Sequence, residues 1–568
     1  MSKILSVELV EINVDLNSNT NPTATFKLVY SGCQSKCLVR KIQVKYRAFV
    51  LNQINIRCKK LKVRVGPDCT FTFPIPDFTT GLEVTVIVGN SLCSKSESVA
   101  KLIEFVPSNC KPDFVADMIP TRLMFKWCNK IAIDTSGLDH KKVEIGELRI
   151  FGHQLGPCRA SRAMGIVHIG MFEAFNQIHP TTLSYLGLGS ASGSAAAAIA
   201  QAMFDTLINL FPSHQPRLQI LLNDLLNQIP NSSAKTNGIA IGHTAAAAII
   251  LLRQSDGSAH PEPIIGVDYF PSDAPGEWRS DPITGNLVAL GAKWPLVTPF
   301  VINTADQFRS VPPPALGSVE YAMAFDEVKS IGGNGTTTPT VRSAYQTETG
   351  IFWAYDGTPS LCAPPRLYNQ ICTLILLSAG VPTADFIRII TKINVGMADA
   401  GIAAWDSKYF YKFWRPVSAI READVGTGPS GLGDGNAATV GDVNFVPLGA
   451  PASNVPVGVN FTPPFPGGSV SGHATFGGCI FQLLRNYLGT DNVPFTFVSD
   501  ELNGITVDNA GNPRPYEPRT YQKLSEAEEE NGQSRIYLGI HFNPDKVLGI
   551  KMGRDVADYV NANLYVPL

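Results

Sequence analysis

Apolar and polar residues alternate in short runs through the first fifth of the chain. Residues 6–12, 24–30, 60–65 and 82–88 show this alternation, and turn residues separate the runs. A period of two places successive side chains on opposite faces of a strand, as in antiparallel sheets with one buried face. Residues 1–112 are therefore predicted to form a small all-β, sandwich-like accessory domain. This part contains no catalytic constellation, and a structural or adhesive role is expected for it.

A helical pattern replaces the alternation from Pro112 onward. Residues 157–178 carry apolar positions at helical spacing, whereas residues 194–210 and 237–253 are rich in alanine, which allows helices to approach closely. Residues 386–420 are predicted to form one or two further helices. Residues 113–568 are therefore predicted to form a mainly helical catalytic domain built from bundles. Its long Gly-, Pro- and Asp-rich loops, 254–300 and 421–464, are expected to be functional or to contact another subunit.

The composition and net charge of the chain argue against some classes of partner. The 568 residues carry 46 basic and 48 acidic side chains, a net charge of −2, so neither nucleic acid nor an anionic membrane surface is an expected partner. No apolar run has the length of a membrane span, and the first residues lack the pattern of a signal peptide. The protein is expected to be soluble, either cytoplasmic or secreted by a non-classical route.

Cysteines are concentrated before residue 111. The even number found there is compatible with a disulfide framework, yet the absence of a signal peptide is equally compatible with reduced thiols. Both alternatives stay open for Cys33, Cys37, Cys58, Cys69, Cys93 and Cys110. A zinc site is disfavoured because no Cys-x-x-Cys pair occurs among them.

Three separate stretches in the last third of the chain carry candidate chemistry. They supply three cations, one hydroxyl, one flexible backbone position and two histidines: Lys408, Arg415, Ser471, Gly472, His473, Arg535 and His541. Arginine forks and lysine charges suit an anion with several oxygens, and glycine lets a backbone N–H approach such an anion closely. Histidine serves as acid, base or ligand near neutral pH. The set therefore predicts a site for a tetrahedral oxyanion.

Local patterns predict how these side chains are held. The spacing of Lys408 and Arg415 would place them on one face of a helix. A capping box, Ser525 to Glu528, is predicted to begin a later helix. On it Arg535 shares a face with Glu528, which is expected either to pair with it or to align it through a shared network. Asn543-Pro544 is predicted to be the N-cap and the first residue of the last helix, which places His541 just before its N-terminus. Taken singly, these residues have structural explanations: a solvated helix face for the two cations, an ion pair for Arg535 and a satisfied buried histidine for His473.

The three motifs together resemble the signature of vanadium-dependent haloperoxidases. They are Lys408-x6-Arg415-Pro416, Ser471-Gly472-His473 and Arg535-x5-His541. This family shares its fold with class A acid phosphatases and type 2 phosphatidic acid phosphatases. Flanking residues such as Trp278-Arg279 and Ala398 to Lys408 look like the bacterial and fungal chloroperoxidase-like branch. The resemblance covers residues 113–568 and implies a fold of two four-helix bundles.

The resemblance also implies a role for each residue. Lys408, Arg415 and Arg535 would neutralise the oxygens of vanadate, and Ser471 and Gly472 would donate hydrogen bonds to it. His541 would be the ligand of the metal, and His473 the acid–base group. The implied reaction uses hydrogen peroxide to oxidise halide to a hypohalous acid-type species, which halogenates a small organic acceptor. A homo-oligomer is a further expectation from the family.

The sequence departs from the family pattern beside the central motif. Val470 stands where the family usually has proline before Ser-Gly-His, and the spacer that begins at Phe465 is one residue longer. Trp405 and Phe465 look like the apolar halide-pocket residues of the chloroperoxidase branch, which favours chloride and bromide over iodide alone.

Other functions are compatible with the same residues. A soluble acid phosphatase would use His541 as nucleophile and His473 to protonate the leaving group. A catalytically silent binding or assembly protein would act through its β domain. A non-halogenating member of the family would use the altered Val470 loop for other chemistry.

Overall fold

The computed structural model describes residues 121–568 throughout, and the backbone of strands in the part before them. These strands are β1 (Lys3–Asn13), β2 (Thr23–Ser31), β3 (Lys41–Val50), β4 (Arg57–Arg64), β5 (Thr70–Pro74), β6 (Thr79–Asn90) and β7 (Cys93–Glu104). They pair antiparallel in the orders β1-β2-β5 and β4-β3-β6-β7. Their side chains and the predicted boundary at residue 112 lie outside the described residues. The sandwich-like domain is therefore not confirmed, and the state of its cysteines stays a prediction.

Helices dominate the rest of the chain, which confirms the prediction of a mainly α protein. They are α1 (Thr121–Asp139), α2 (Gly156–Ile178), α3 (Ala195–Leu210), α4 (Gln215–Asn227), α5 (Ser233–Arg253), α6 (Val319–Ile331), α7 (Ala344–Phe352), α8 (Pro364–Ser378), α9 (Thr383–Tyr411), α10 (Pro416–Arg421), α11 (Gly472–Leu488), α12 (Leu524–Tyr537) and α13 (Asn543–Asn563). A two-stranded antiparallel hairpin, β8 (Phe495–Asn503) and β9 (Tyr516–Tyr521), lies between α11 and α12. Loops 254–300 and 421–464 contain no longer element than a single turn of 3-10 helix.

The helices pack in two groups that share one apolar core. Helices α1, α2, α3 and α5 form the first group, and α8, α9, α11, α12 and α13 the second, with α2 lying against α9. The close approach of α11 and α13 depends on glycine, because a Cβ at Gly478 would collide with Ile550 O and one at Gly553 with Thr475 O. This contact fixes the N-termini of the two helices relative to each other.

Two predicted helix starts are shifted in the structure. Helix α12 begins at Leu524, and Glu526, not Glu528, accepts hydrogen bonds from the backbone N–H groups that precede the helix. Helix α13 begins at Asn543, so this residue occupies the first turn and not the cap. The buried Glu528 pairs with Arg485 and Arg554, so its predicted pairing with Arg535 is wrong.

Among the described helices, α5 has the length and apolar composition that would suit a membrane span. One third of its most apolar window is buried inside the protein, where it packs against α2 and α3. A core helix of a folded domain has the same composition, so this is weak evidence for a span.

Asp399 of α9 ties the long loop 254–300 to the core. Its carboxylate, fully buried, accepts hydrogen bonds from the backbone N–H groups of Phe300 at 2.7 Å, Val301 at 2.7 Å and Ile302 at 3.0 Å. Burial raises the pKa of Asp399 to about 6, and the three donors oppose that shift. One side chain thus satisfies three buried amides where the loop reaches α9.

Asp399→Ala should destabilise the protein by about 3 kcal/mol, because three buried N–H groups lose their acceptor and each unsatisfied group costs about 1–3 kcal/mol before partial relaxation. Urea unfolding followed by circular dichroism measures this, with Asp555→Ala at a half-exposed, solvent-facing position of α13 as the control. Equal unfolding midpoints for the two variants would contradict the assignment.

Candidate active site

The predicted site residues meet where the ends of five helices converge. Lys408 lies in the last turn of α9, Arg415 precedes α10, Ser471 caps α11, Arg535 lies in the last turn of α12 and His541 precedes α13. Four of these side chains are at most 2% exposed, and His541 is 3% exposed. The structure therefore brings together every residue of the three sequence motifs.

Helix α9 ends before it reaches Arg415, so the predicted placement of both cations on one helical face is wrong. Lys412 adopts a left-handed conformation, with φ of 49°, and its N–H donates to Lys408 O. The chain then reverses, and Arg415 stands at the N-cap of α10, followed by Pro416 in the first turn. Lys408 and Arg415 consequently reach the site from two different elements.

Lys408 is held by the loop that leads into α11. Its Nζ donates to Pro466 O at 2.9 Å and to Gly467 O at 2.8 Å. Burial first, and then the charge of Arg415, lower the pKa of Lys408 well below its usual range. A bound anion would offset both effects.

Arg415 donates to the same loop and to the turn before α13. Its Nε donates to Phe465 O at 3.0 Å, and its Nη1 donates to Ile540 O at 2.8 Å and to His541 Nε2 at 3.0 Å. Its Nη2 is buried without a partner. Burial is the main reason why the pKa of Arg415 falls to about 9, and the charge of Arg535 adds to it.

Arg535 has a carboxylate partner that the sequence motifs do not contain. Its Nη2 donates to Asp356 Oδ1 at 2.7 Å, whereas its Nε and Nη1 are buried without partners. The second oxygen of Asp356, Oδ2, also lacks a partner, and burial raises the pKa of this carboxyl. Asp356 therefore offsets one of the three clustered positive charges.

Ser471 and Gly472 form the start of α11. The hydroxyl of Ser471 accepts from the N–H of Ala474, and the Ser471 N–H donates to Asp545 O at 2.8 Å. A Cβ at Gly472 would lie 3.3 Å from the Trp405 ring, so a larger residue would press on that ring. The N-terminus of α11 directs its positive dipole end toward this region, which favours a bound anion.

His541 is oriented by Asp545, four residues further on. Nδ1 of His541 lies 2.9 Å from Asp545 Oδ2, which also accepts from the N–H of Phe542. Because Asp545 and Arg415 are an acceptor and a donor, Nδ1 of His541 carries the proton and Nε2 carries the lone pair. Burial, followed by the charge of Arg415, lowers the pKa of His541 well below its usual range. The lone pair of Nε2 accepts from Arg415 Nη1 in this structure, and it can serve as a metal ligand or as a nucleophile once that contact is exchanged.

His473 has the opposite tautomer. Its Nε2 donates to Ala354 O at 2.6 Å, and the same nitrogen lies 4.0 Å from Asp356. The basic nitrogen is therefore Nδ1. Burial and the charge of Arg535 lower the pKa of His473 well below its usual range.

An aromatic wall formed by Trp405 and Phe465 closes one side of the site. The rings of Trp405 and Phe465 are 4.8 Å apart between centroids, and both are buried. Lys408 Nζ lies 5.3 Å and the guanidinium of Arg415 4.9 Å from the centroid of Phe465. Val470 is fully buried in the same core.

The buried groups without partners define what the site can hold. Nη2 of Arg415 and both Nε and Nη1 of Arg535 are donors for which residues 121–568 provide no acceptor. Buried polar groups are normally paired, so these donors point to a ligand rich in acceptors. Together with Nε2 of His541, they fit a tetrahedral oxyanion whose central atom accepts a nitrogen ligand. Vanadate and phosphate both meet this description.

The sequence motifs do not contain Asp356 and Asp545. Asp545 has a sequence signal, since it follows His541 by one helical turn at a helix start, where acidic residues are favoured. Asp356 has none, because its loop carries no periodicity and lies far from Arg535 along the chain.

Sequence comparisons find a related family model and a related protein. Residues 388–565 match a family model described as the VCPO second helical-bundle domain. Vanadium chloroperoxidase from Curvularia inaequalis is 30% identical over 483 residues, which cover 69% of this chain and 75% of that protein.

Two solved structures have a similar fold. A bacterial vanadium-dependent iodoperoxidase aligns with a TM-score of 0.60 at 22% identity, over 81% of this chain and 99% of its own. A holo-type bacterial vanadium-dependent chloroperoxidase aligns with a TM-score of 0.53 at 16% identity, over 73% and 93% of the two chains.

The two histidines should be neutral and of opposite tautomers in the ligand-free protein at pH 6.5. Their partners impose a proton on Nδ1 of His541 and on Nε2 of His473, and the lowered pKa values keep both rings uncharged. 15N NMR of histidine-labelled protein distinguishes the tautomers, and His541→Ala and His473→Ala assign the signals. Fast-exchanging or doubly protonated rings at either position would contradict this arrangement.

Proposed function

Because the chain belongs to the vanadium haloperoxidase family, we propose that it binds vanadate at this site and oxidises halide with hydrogen peroxide. The product is a hypohalous acid-type species that halogenates a small organic acceptor. The observation that carries the proposal is the set of buried donors on Arg415 and Arg535 that have no partner among the described residues. They lie beside His541 Nε2, whose lone pair accepts from Arg415 Nη1. Such donors suit an oxyanion in a water-poor site.

Vanadate, when bound, supplies Lewis acidity that activates hydrogen peroxide toward attack by halide. The chain supplies the charge and the geometry. Lys408, Arg415 and Arg535 hold the negative charge, Ser471 and Gly472 add hydrogen bonds at the start of α11, and His541 contributes its Nε2 as the ligand. These groups are fixed by backbone carbonyls and carboxylates before any ligand arrives, so little reorganisation is needed.

His473 moves the proton in this proposal. Its Nε2–H is anchored on Ala354 O, so Nδ1 exchanges a proton while the ring keeps its orientation. The aromatic pair Trp405 and Phe465 excludes water beside Lys408 and offers an apolar, cation-edged surface to a halide. This surface supports oxidation of bromide and chloride.

An acid phosphatase is the second candidate, and one observation favours it. The unpartnered donors do not distinguish vanadate from phosphate, and the lone pair of His541 Nε2 is placed as a nucleophile would be. In that reaction His473 would protonate the leaving group.

Halogenation of an activated 1,3-diketone separates the two candidates. Purified protein with hydrogen peroxide and bromide or chloride should turn over only after orthovanadate is added, and phosphate should inhibit by competing for the same donors. His541→Ala should abolish tight vanadate binding, and His473→Ala should bind vanadate but lose most turnover. Hydrolysis of a phosphomonoester without any halogenation would favour the phosphatase instead. Unchanged halogenation in both variants would refute the site.

Asp545→Ala should weaken vanadate binding by about 10- to 100-fold, the usual effect of removing the hydrogen-bond partner of a metal-binding histidine. Without Asp545 the ring of His541 loses the acceptor that fixes its tautomer and rotation. Isothermal titration calorimetry with orthovanadate measures the change, and Asp555→Ala on the same helix is the matched control. An unchanged affinity in folded Asp545→Ala protein would show that Asp545 does not orient the ligand.

A further inference from the structure

A short segment before α8 contacts both His473 and Arg535. In residues 352–356, Ala354 O accepts from His473 Nε2 and Asp356 Oδ1 accepts from Arg535 Nη2. The proton-transfer group and one oxyanion-binding cation are thus positioned by residues that flank a single residue, Tyr355. Whatever fixes the backbone at Tyr355 also fixes these two contacts.

Tyr355 has a conformation that its surroundings must enforce. Its φ is 45°, in the left-handed region that side-chain-bearing residues adopt only at an energetic cost. The side chain is fully buried, and its hydroxyl accepts from the N–H of Asp500 at 2.7 Å and donates to Gln370 Oε1 at 3.0 Å. Such a conformation persists only where neighbouring contacts outweigh its cost.

Strand β8 supplies those contacts through three successive residues. The hydroxyl of Ser499 donates to Phe352 O at 2.6 Å, the N–H of Asp500 donates to Tyr355 Oη, and Oε1 of Glu501 accepts from the Tyr355 N–H at 3.2 Å. None of the three belongs to the sequence motifs of the site. Strand β8 therefore holds Phe352 and Tyr355 through three hydrogen bonds.

Glu501 is the central member of this connection. It is fully buried, and its second oxygen accepts from Ser453 Oγ at 2.6 Å and from Arg514. Ser453 belongs to the long loop 421–464, and Arg514 to the turn of the β8–β9 hairpin. One carboxylate thus joins the long loop, the hairpin and the active-site segment. Removing it would leave Arg514 without its carboxylate partner and the N–H of Tyr355 without an acceptor in the interior, where such losses are costly.

We propose that Glu501 is a positioning residue, which sets the contacts of His473 and Arg535 by fixing Tyr355 in its left-handed conformation. The inference rests on the proposed function, in which His473 moves a proton. Since Glu501 contacts neither His473 nor Arg535, its removal changes where these groups stand and leaves their chemistry intact. The two are expected to lose alignment together, while His541, held by Asp545, keeps its place.

Glu501→Ala tests this, with Glu501→Gln as the conservative variant and Glu517→Ala, an exposed glutamate of β9, as the control. In Glu501→Ala, kcat at saturating vanadate should fall by about 10- to 100-fold, the scale of a displacement near 1 Å. The KM for hydrogen peroxide should change less than kcat. Glu501→Gln keeps an acceptor for the Tyr355 N–H and should restore most of kcat.

The 15N NMR signal of His473 tests the same inference without vanadate. It should shift or broaden in Glu501→Ala, whereas the signal of His541 should stay unchanged. This measurement decides the positioning role even if the protein shows no halogenation, so the inference and the proposed function fail separately. An unchanged His473 signal in Glu501→Ala would overturn the inference. If that variant does not fold, Glu501→Asp takes its place under the same criterion, because it keeps the buried charge but is too short to reach the Tyr355 N–H.

Discussion

The mutual repulsion of three buried cations is the constraint on which the rest of this domain depends. Lys408, Arg415 and Arg535 are each at most 2% exposed. The charges of Arg415 and Arg535 add to burial in lowering the pKa of Lys408, and the charge of Arg535 adds to burial in lowering the pKa of Arg415. Burial of unpaired charges is prohibitive, so the protein surrounds them with fixed acceptors. Backbone carbonyls from residues 465–467 and 540 serve Lys408 and Arg415, and the carboxylate of Asp356 serves Arg535. These acceptors do not pair with every N–H of the two arginines, and the donors that remain call for a ligand rich in acceptor atoms.

Helix ends stabilise this cluster of buried charges. A helix terminus exposes unpaired backbone groups and carries a partial charge. Five termini at one place therefore supply both hydrogen-bonding groups and dipoles to the site. The packing of α11 on α13 through Gly478 and Gly553 holds two of these termini in register. Asp545 uses the same geometry twice, since its carboxylate both caps α13 and orients His541. The same residue therefore stabilises the helix start and orients a side chain of the site.

The sequence predicts the helical class, most helix positions and every residue of the three motifs, because periodicity and local spacing are recorded along the chain. It does not predict what depends on chain reversal or on distant contacts. Lys408 and Arg415 look like neighbours on one helix until the left-handed Lys412 ends α9. Glu528 looks like the partner of Arg535, yet the fold brings it to Arg485 and Arg554. Asp356 and Glu501 act through tertiary contacts alone, and no local pattern marks either one.

The state of His473 follows from the same electrostatics. Burial and the charge of Arg535 lower its pKa, so the ring is neutral while the cations face no anion. An oxyanion that pairs with Arg535 and Arg415 removes part of that repulsion and must raise the pKa of His473 by linkage. Anion binding and proton uptake are then coupled at Nδ1, the nitrogen that Ala354 leaves free. A segment that fixes Ala354 and Asp356 together thus controls both partners of this coupling, and for that reason its attachment to β8 bears on catalysis as well as on stability.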